Sequence, residues 1–148
     1  MSSSSKPSAV RQLRVVVEAE DYADAVAFFR DALGLAEREA YAGVGGAEVV
    51  ILEAGVATLE ISNPAQVRMI DRIEADGTAS QQIRLAFEVD DAALVTARLV
   101  SAGGRLIASA RETPWRSLNS RIGAPAGLQI TVFQELGPGE FGEPELDR

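Results

Sequence analysis

The 148-residue chain is predicted to be an α+β protein made of two tandem βαβββ modules. A long-range repeat, an acid placed to cap a helix behind each repeated strand, and three short strand-like segments behind each helix carry this prediction. The repeat reads Leu13-Arg14-Val15-Val16-Val17-Glu18-Ala19-Glu20-Asp21 against Ile83-Arg84-Leu85-Ala86-Phe87-Glu88-Val89-Asp90-Asp91. Every position keeps its character across the shift, and the same shift carries Gly34 onto Gly104. Two such features sharing one spacing point to a duplicated unit.

Each module opens on a strand, Leu13 to Val17 and Ile83 to Val89, rich in β-branched or aromatic residues and ending in acids. Asp21 and Asp91 then stand where a side-chain oxygen can accept an orphan helix N–H. In the first helix, Tyr22, Ala25, Val26, Phe29, Ala32 and Leu33 fall on one face at spacings of three and four. Gly34 follows as a residue able to take positive φ at the helix end. Ala92, Val95, Leu99 and Ala102 repeat the pattern before Gly103-Gly104.

Three further strands are expected in each half. They are Glu37 to Tyr41, Ala47 to Glu53 and Ala57 to Ser62, then Arg105 to Glu112, Ser117 to Ile122 and Gln129 to Gln134, separated by Gly and Pro. The organisation that follows is a disordered tail over 1–11, modules over 12–63 and 81–136, a linker over 64–80, and a loose acidic tail over 137–148. The linker is expected to be helical, because Val67, Ile70 and Ile73 recur at helical spacing.

Composition narrows the chemistry. Cysteine and histidine are absent, which excludes disulfides, thiolate metal sites, a Ser-His-Asp triad and an imidazole base. The one lysine, Lys6, lies in the expected tail, so Schiff-base chemistry has no placed residue. A net charge of −8 argues against nucleic acid as a partner. No apolar run is long enough to span a membrane, and the Ser-rich start has no hydrophobic segment behind it. The expected location is the cytoplasm.

Several stretches, in this order, resemble the glyoxalase/bleomycin-resistance group of the vicinal-oxygen-chelate superfamily. They are Ala27-Phe28-Phe29-Arg30-Asp31-Ala32-Leu33-Gly34-Leu35, Phe87-Glu88-Val89-Asp90-Asp91, Thr113-Pro114-Trp115 and Gly123-Ala124-Pro125-Ala126-Gly127-Leu128-Gln129-Ile130-Thr131-Val132-Phe133. The resemblance implies a curved, mostly antiparallel sheet around a cleft, and a homodimer. In metal-dependent members four inward residues, commonly two His and two Glu, hold an ion. The matching positions here are Arg14, Glu60, Arg84 and Thr131. One carboxylate facing two guanidiniums that stay charged at any ordinary pH predicts no metal and no cofactor.

If Arg14, Glu60 and Arg84 converge, two cations face one anion and favour a negatively charged guest through bidentate hydrogen bonds. The alternative is an Arg–Glu–Arg triad acting only as internal glue. Trp115, the sole tryptophan, either stacks on a planar ligand or covers the core edge. The resemblance therefore implies a metal-free small-molecule-binding protein that sequesters an antibiotic or another anionic or aromatic metabolite. The alternative it implies is a lyase, isomerase or dioxygenase-like enzyme with Glu60 as base, which two flanking arginines would weaken. An accessory module without chemistry stays open as well.

Overall fold

Alternating β-branched residues draw Val10–Glu18 (β1) and Ile83–Val89 (β5) into extended chain, and the two strands then pair antiparallel. The computed structural model describes residues 9–137. Residues 1–8 of the expected N-terminal tail, and nearly all of the C-terminal one, lie outside the described residues. Val10 and Arg11, assigned to the tail, belong to β1, because the ladder to β5 already begins at the pair Val10↔Val89.

The other strands are β2 (Glu37–Ala42), β3 (Glu48–Ala54), β4 (Ala57–Ser62), β6 (Arg105–Glu112), β7 (Ser117–Gly123) and β8 (Gln129–Glu135). They form one curved eight-stranded sheet in the order β2-β3-β4-β1-β5-β8-β7-β6. β1 runs parallel to β4 and β5 parallel to β8, while the remaining pairs are antiparallel. The two βαβββ units thus meet edge to edge within one chain, with the repeated strands at the seam.

Helix α1 (Tyr22–Val26) starts at Asp21, whose carboxylate accepts from the Asp24 N–H at 3.0 Å. Asp91 does the same for α3 (Ala92–Ser101), accepting from Leu94 at 3.0 Å. The first helix departs from the expected regular pattern. From Ala27 to Ala32 it continues as a π-helix, with the Leu33 N–H reaching back to the Phe28 carbonyl at 2.9 Å. The wider turn rotates later residues off the packing face. Tyr22, Ala25, Val26 and Phe29 still pack over Val50, Leu52 and Ile61, but Ala32 and Leu33 do not, and Leu33 is 61% exposed.

Under α3, Val95 and Leu99 cover Val89, Ile122, Ile130 and Val132. Residues alternating with these, such as Thr131 and Phe133, point to the opposite, concave face. Helix α2 (Pro64–Ala75) lies on that concave side, against β3, β4, β6 and β7. Its buried stripe is Gln66, Ile70, Asp71, Glu74 and Ala75 rather than the expected Val67, Ile70 and Ile73. No helix among the described residues is long and apolar enough to cross a membrane.

The repeat shifts by one residue at the second helix end. Positive φ belongs to Gly34 (+92°) in the first module but to Gly103 (+108°) in the second. Gly104 is needed for another reason: a Cβ there would lie 2.9 Å from the Leu99 carbonyl oxygen and 3.0 Å from Ile122 Cγ2. A backbone oxygen cannot give way cheaply, so Gly104→Ala is expected to cost about 1–3 kcal/mol. A urea midpoint unchanged from the parent would contradict this account.

Candidate functional site

The sheet seam sets the site. On β1 and β5, Arg14 stands opposite Ala86 and Val16 opposite Arg84. All four share the concave face, with the arginines diagonal to one another and the small side chains between them. Val16 and Ala86 pack with Phe133 as a buried apolar floor. Above it lies a cavity of about 240 Å³ bordered by Arg14, Glu60, Arg84, Trp115 and Thr131. Five residues from four strands and a turn, singled out on sequence grounds, border one space.

Arg14 is held from two sides. Its Nε donates to Gln12 Oε1 at 2.9 Å, and its guanidinium carbon stands 5.1 Å from the centre of the Phe133 ring. Its Nη1 and Nη2 lie 3.6 Å from Glu60 Oε1 and 3.9 Å from Glu135 Oε2. Both separations exceed hydrogen-bond range. Glu60 is correspondingly loose, its shortest hydrogen bond being the one accepted from Ser62 at 3.4 Å.

Arg84 does not make the triad expected with Arg14 and Glu60. Its Nη1 donates to Thr131 Oγ1 at 2.5 Å and lies 3.7 Å from Glu74 Oε1. Thr131 in turn donates its hydroxyl to Glu74 Oε1 at 2.6 Å. Arg84 is 6% exposed, and its Nε is buried without a hydrogen-bond partner among the described residues.

Glu74 is the residue that sequence reading missed. It arrives from α2 and meets Arg121, whose Nε and Nη2 donate at 2.9 and 2.8 Å, and Asn119, which donates at 2.6 Å. Asp71, one turn earlier, takes Arg121 Nη1 at 3.2 Å. Burial alone would raise the Glu74 carboxyl. Arg84, Arg121 and the Asn119 and Thr131 hydrogen bonds outweigh it and hold the group below the ordinary value.

The signal for this network lay in β7. Ser117, Asn119 and Arg121 alternate and are buried, making one face of a strand paired on both sides polar, which demands a polar partner from another element. Glu74 shares the Ile70 face at i, i+4.

β2 adds Glu39 and Tyr41 to the rim, the Tyr41 hydroxyl donating to Glu39 at 2.5 Å. The turn at Trp115 adds Arg116, at φ +64°. Among the described residues the cavity is therefore bordered by Arg14, Arg84 and Arg116 against Glu39, Glu60, Glu74 and Glu135. The surplus of positive charge expected from two arginines and one glutamate is absent, because Glu74, Glu39 and Glu135, which sequence reading did not place there, also border the cavity.

The comparisons with known proteins agree with this architecture. Residues 14–133 match the family model described as glyoxalase-like domain. Comparison with curated proteins gives no significant match. Among solved structures, methylmalonyl-CoA epimerase from Mycobacterium tuberculosis is 23% identical, with a TM-score of 0.63 over 90% of this chain and 93% of that one. A glyoxalase/bleomycin resistance protein/dioxygenase superfamily member from Vibrio splendidus 12B01 is 12% identical, with a TM-score of 0.61 over 84% and 98%. A mutant of 4-hydroxymandelate synthase from Streptomyces coelicolor is 20% identical, with a TM-score of 0.59 over 88% of this chain and 39% of that one. At these identities the likeness is one of fold. With all of both modules except the outer ends of β1 and β8 inside the matched residues, this chain belongs to the glyoxalase-like domain family.

Proposed function

We propose that this protein is a metal-free binding protein that holds a small organic molecule by an acidic group, with a planar portion against Trp115. The observation that carries the reading is a set of unused donors. Arg14 Nη1 and Nη2, and Arg84 Nη2, make no hydrogen bond to any described residue, although both side chains are largely buried beside the cavity. A buried guanidinium kept only as glue would be expected to spend its donors. A carboxylate or phenolate over the Val16 and Ala86 floor would engage both arginines through charge-assisted bonds. The volume, about 240 Å³, falls just below the range of small-molecule clefts, about 300–1,000 Å³, which suits a compact guest.

The residues present do not fit a divalent ion. Glu60 stands beside the Arg14 cation, Thr131 Oγ1 is taken up by Arg84 and Glu74, and Glu74 is spent on Arg121. Among the described residues, no group of three or more His, Cys, Asp or Glu is placed to hold a metal.

Emission from Trp115 during titration with aromatic carboxylates and phenolic antibiotics tests the proposal. Saturable quenching is expected, with Arg14→Leu weakening it about tenfold or more. Flat titrations together with turnover of a small metabolite would overturn it. Stoichiometric zinc, nickel, iron or manganese in the purified protein would overturn its metal-free part. The loosely held Glu60 favours a second reading, an enzyme of the same superfamily with Glu60 as base. That reading requires turnover that Glu60→Gln abolishes.

A further inference from the structure

The unused donors on Arg14 and Arg84 share the cavity with an acceptor in the same condition. Glu60 is 8% exposed, borders the cavity, and accepts nothing closer than the Ser62 hydroxyl at 3.4 Å. A buried carboxylate left this loosely bonded is costly unless something else completes it. Its strand position sets it diagonal to Arg14, at 3.6 Å, since Val16 pairs with Glu60 on one side and with Arg84 on the other. One end of a guest over Val16 thus meets guanidinium donors, and a carboxylate stands within a few ångströms.

Charge decides what kind of donor that carboxylate would take. Glu39 and Glu135 border the same space, and with Glu74 paired to Arg121 the described lining sets Glu39, Glu60 and Glu135 against Arg14, Arg84 and Arg116, with no positive surplus. Glu74 is held chiefly by Arg121, on the α2 side of the cavity. An acidic guest with no compensating group would bring a second negative charge up to Glu60. A guest that pairs its acid with an ammonium would relieve Glu60 instead. Resting on the proposed binding role, we infer that the guest is a zwitterion of the aromatic amino-acid type: its carboxylate lies on Arg14 and Arg84, its ammonium on Glu60, and its ring towards Trp115.

Matched probes separate this inference from the binding role itself. L-Phenylalanine carries both charges, 3-phenylpropionate lacks the ammonium, and phenethylamine lacks the carboxylate. Titrated against the full chain with Trp115 emission excited at the red edge of the indole band, phenylalanine is expected to bind about tenfold or more tightly than either truncated probe. Glu60→Gln is expected to abolish the advantage over 3-phenylpropionate while leaving 3-phenylpropionate bound, a readout that a merely unfolded variant would not give. Equal or tighter binding of 3-phenylpropionate overturns the zwitterion and leaves the acid-binding role intact. Preference for phenethylamine, or no binding by any of the three, overturns the inference as well.

Discussion

Arg121→Ala is expected to destabilise the protein by about 3–5 kcal/mol, because it strips the partner from carboxylates that cannot reach water. Arg121 is fully buried, at 0% exposure, and divides its donors between Glu74, Asp71 and Gln129. Without it Glu74 keeps the hydrogen bonds from Asn119 and Thr131 but no cation nearer than Arg84 at 3.7 Å, and Asp71 keeps the Ser80 N–H and hydroxyl. Domains of this size have about 5–15 kcal/mol of stability in all. The urea midpoint should therefore fall by about 2 M, taking a slope near 2 kcal/mol per M. The double variant Arg121→Met with Glu74→Gln removes the cation and one carboxylate together, and should recover much of the loss. A loss under about 1 kcal/mol for Arg121→Ala would mean that the network is solvated, as exposed pairs are.

What could and could not be read in advance follows from how far each constraint reaches along the chain. Leu13–Asp21 and Ile83–Asp91 repeat because each is a strand followed by a capped helix, and those requirements act within ten residues. The antiparallel seam then brought Arg14, Glu60, Arg84 and Thr131 around one cavity, since strand alternation and repeat symmetry assign faces without knowing distances. Three features stayed hidden. The π-helical slip after Val26 has no compositional mark; Leu33 looks like a core position until the backbone lets it go. Which acid would answer Arg84 depended on where α2 crosses the concave face, and its apolar periodicity pointed to Val67 and Ile73. Glu39 and Tyr41 come from β2, the far edge strand, whose reach over the cavity depends on sheet curvature. A local pattern cannot encode that.

The depressed carboxyl of Glu74 makes a signed prediction about acid. A group whose folded value lies below its unfolded one stabilises the fold fully above the unfolded value and ceases to do so as pH falls through the folded value. For Glu74 the window opens near the ordinary 4.5 and extends downward. Glu74→Gln keeps the shape and cannot ionise, leaving Arg84 and Arg121 facing a neutral amide. The gap in unfolding free energy between parent and variant should be widest near neutral pH, of the order of 3 kcal/mol. It should close progressively as pH falls below the ordinary carboxyl range, because protonated Glu74 then resembles the amide. Asp31 is also held low, by its hydrogen bonds from Arg30, but it is exposed and unchanged in both proteins, so it cancels from the comparison. Urea melts of the two proteins at several pH values measure the gap directly. A gap that stays constant, or widens as acid is added, would show that the carboxylate charge is not what ties α2 to β7.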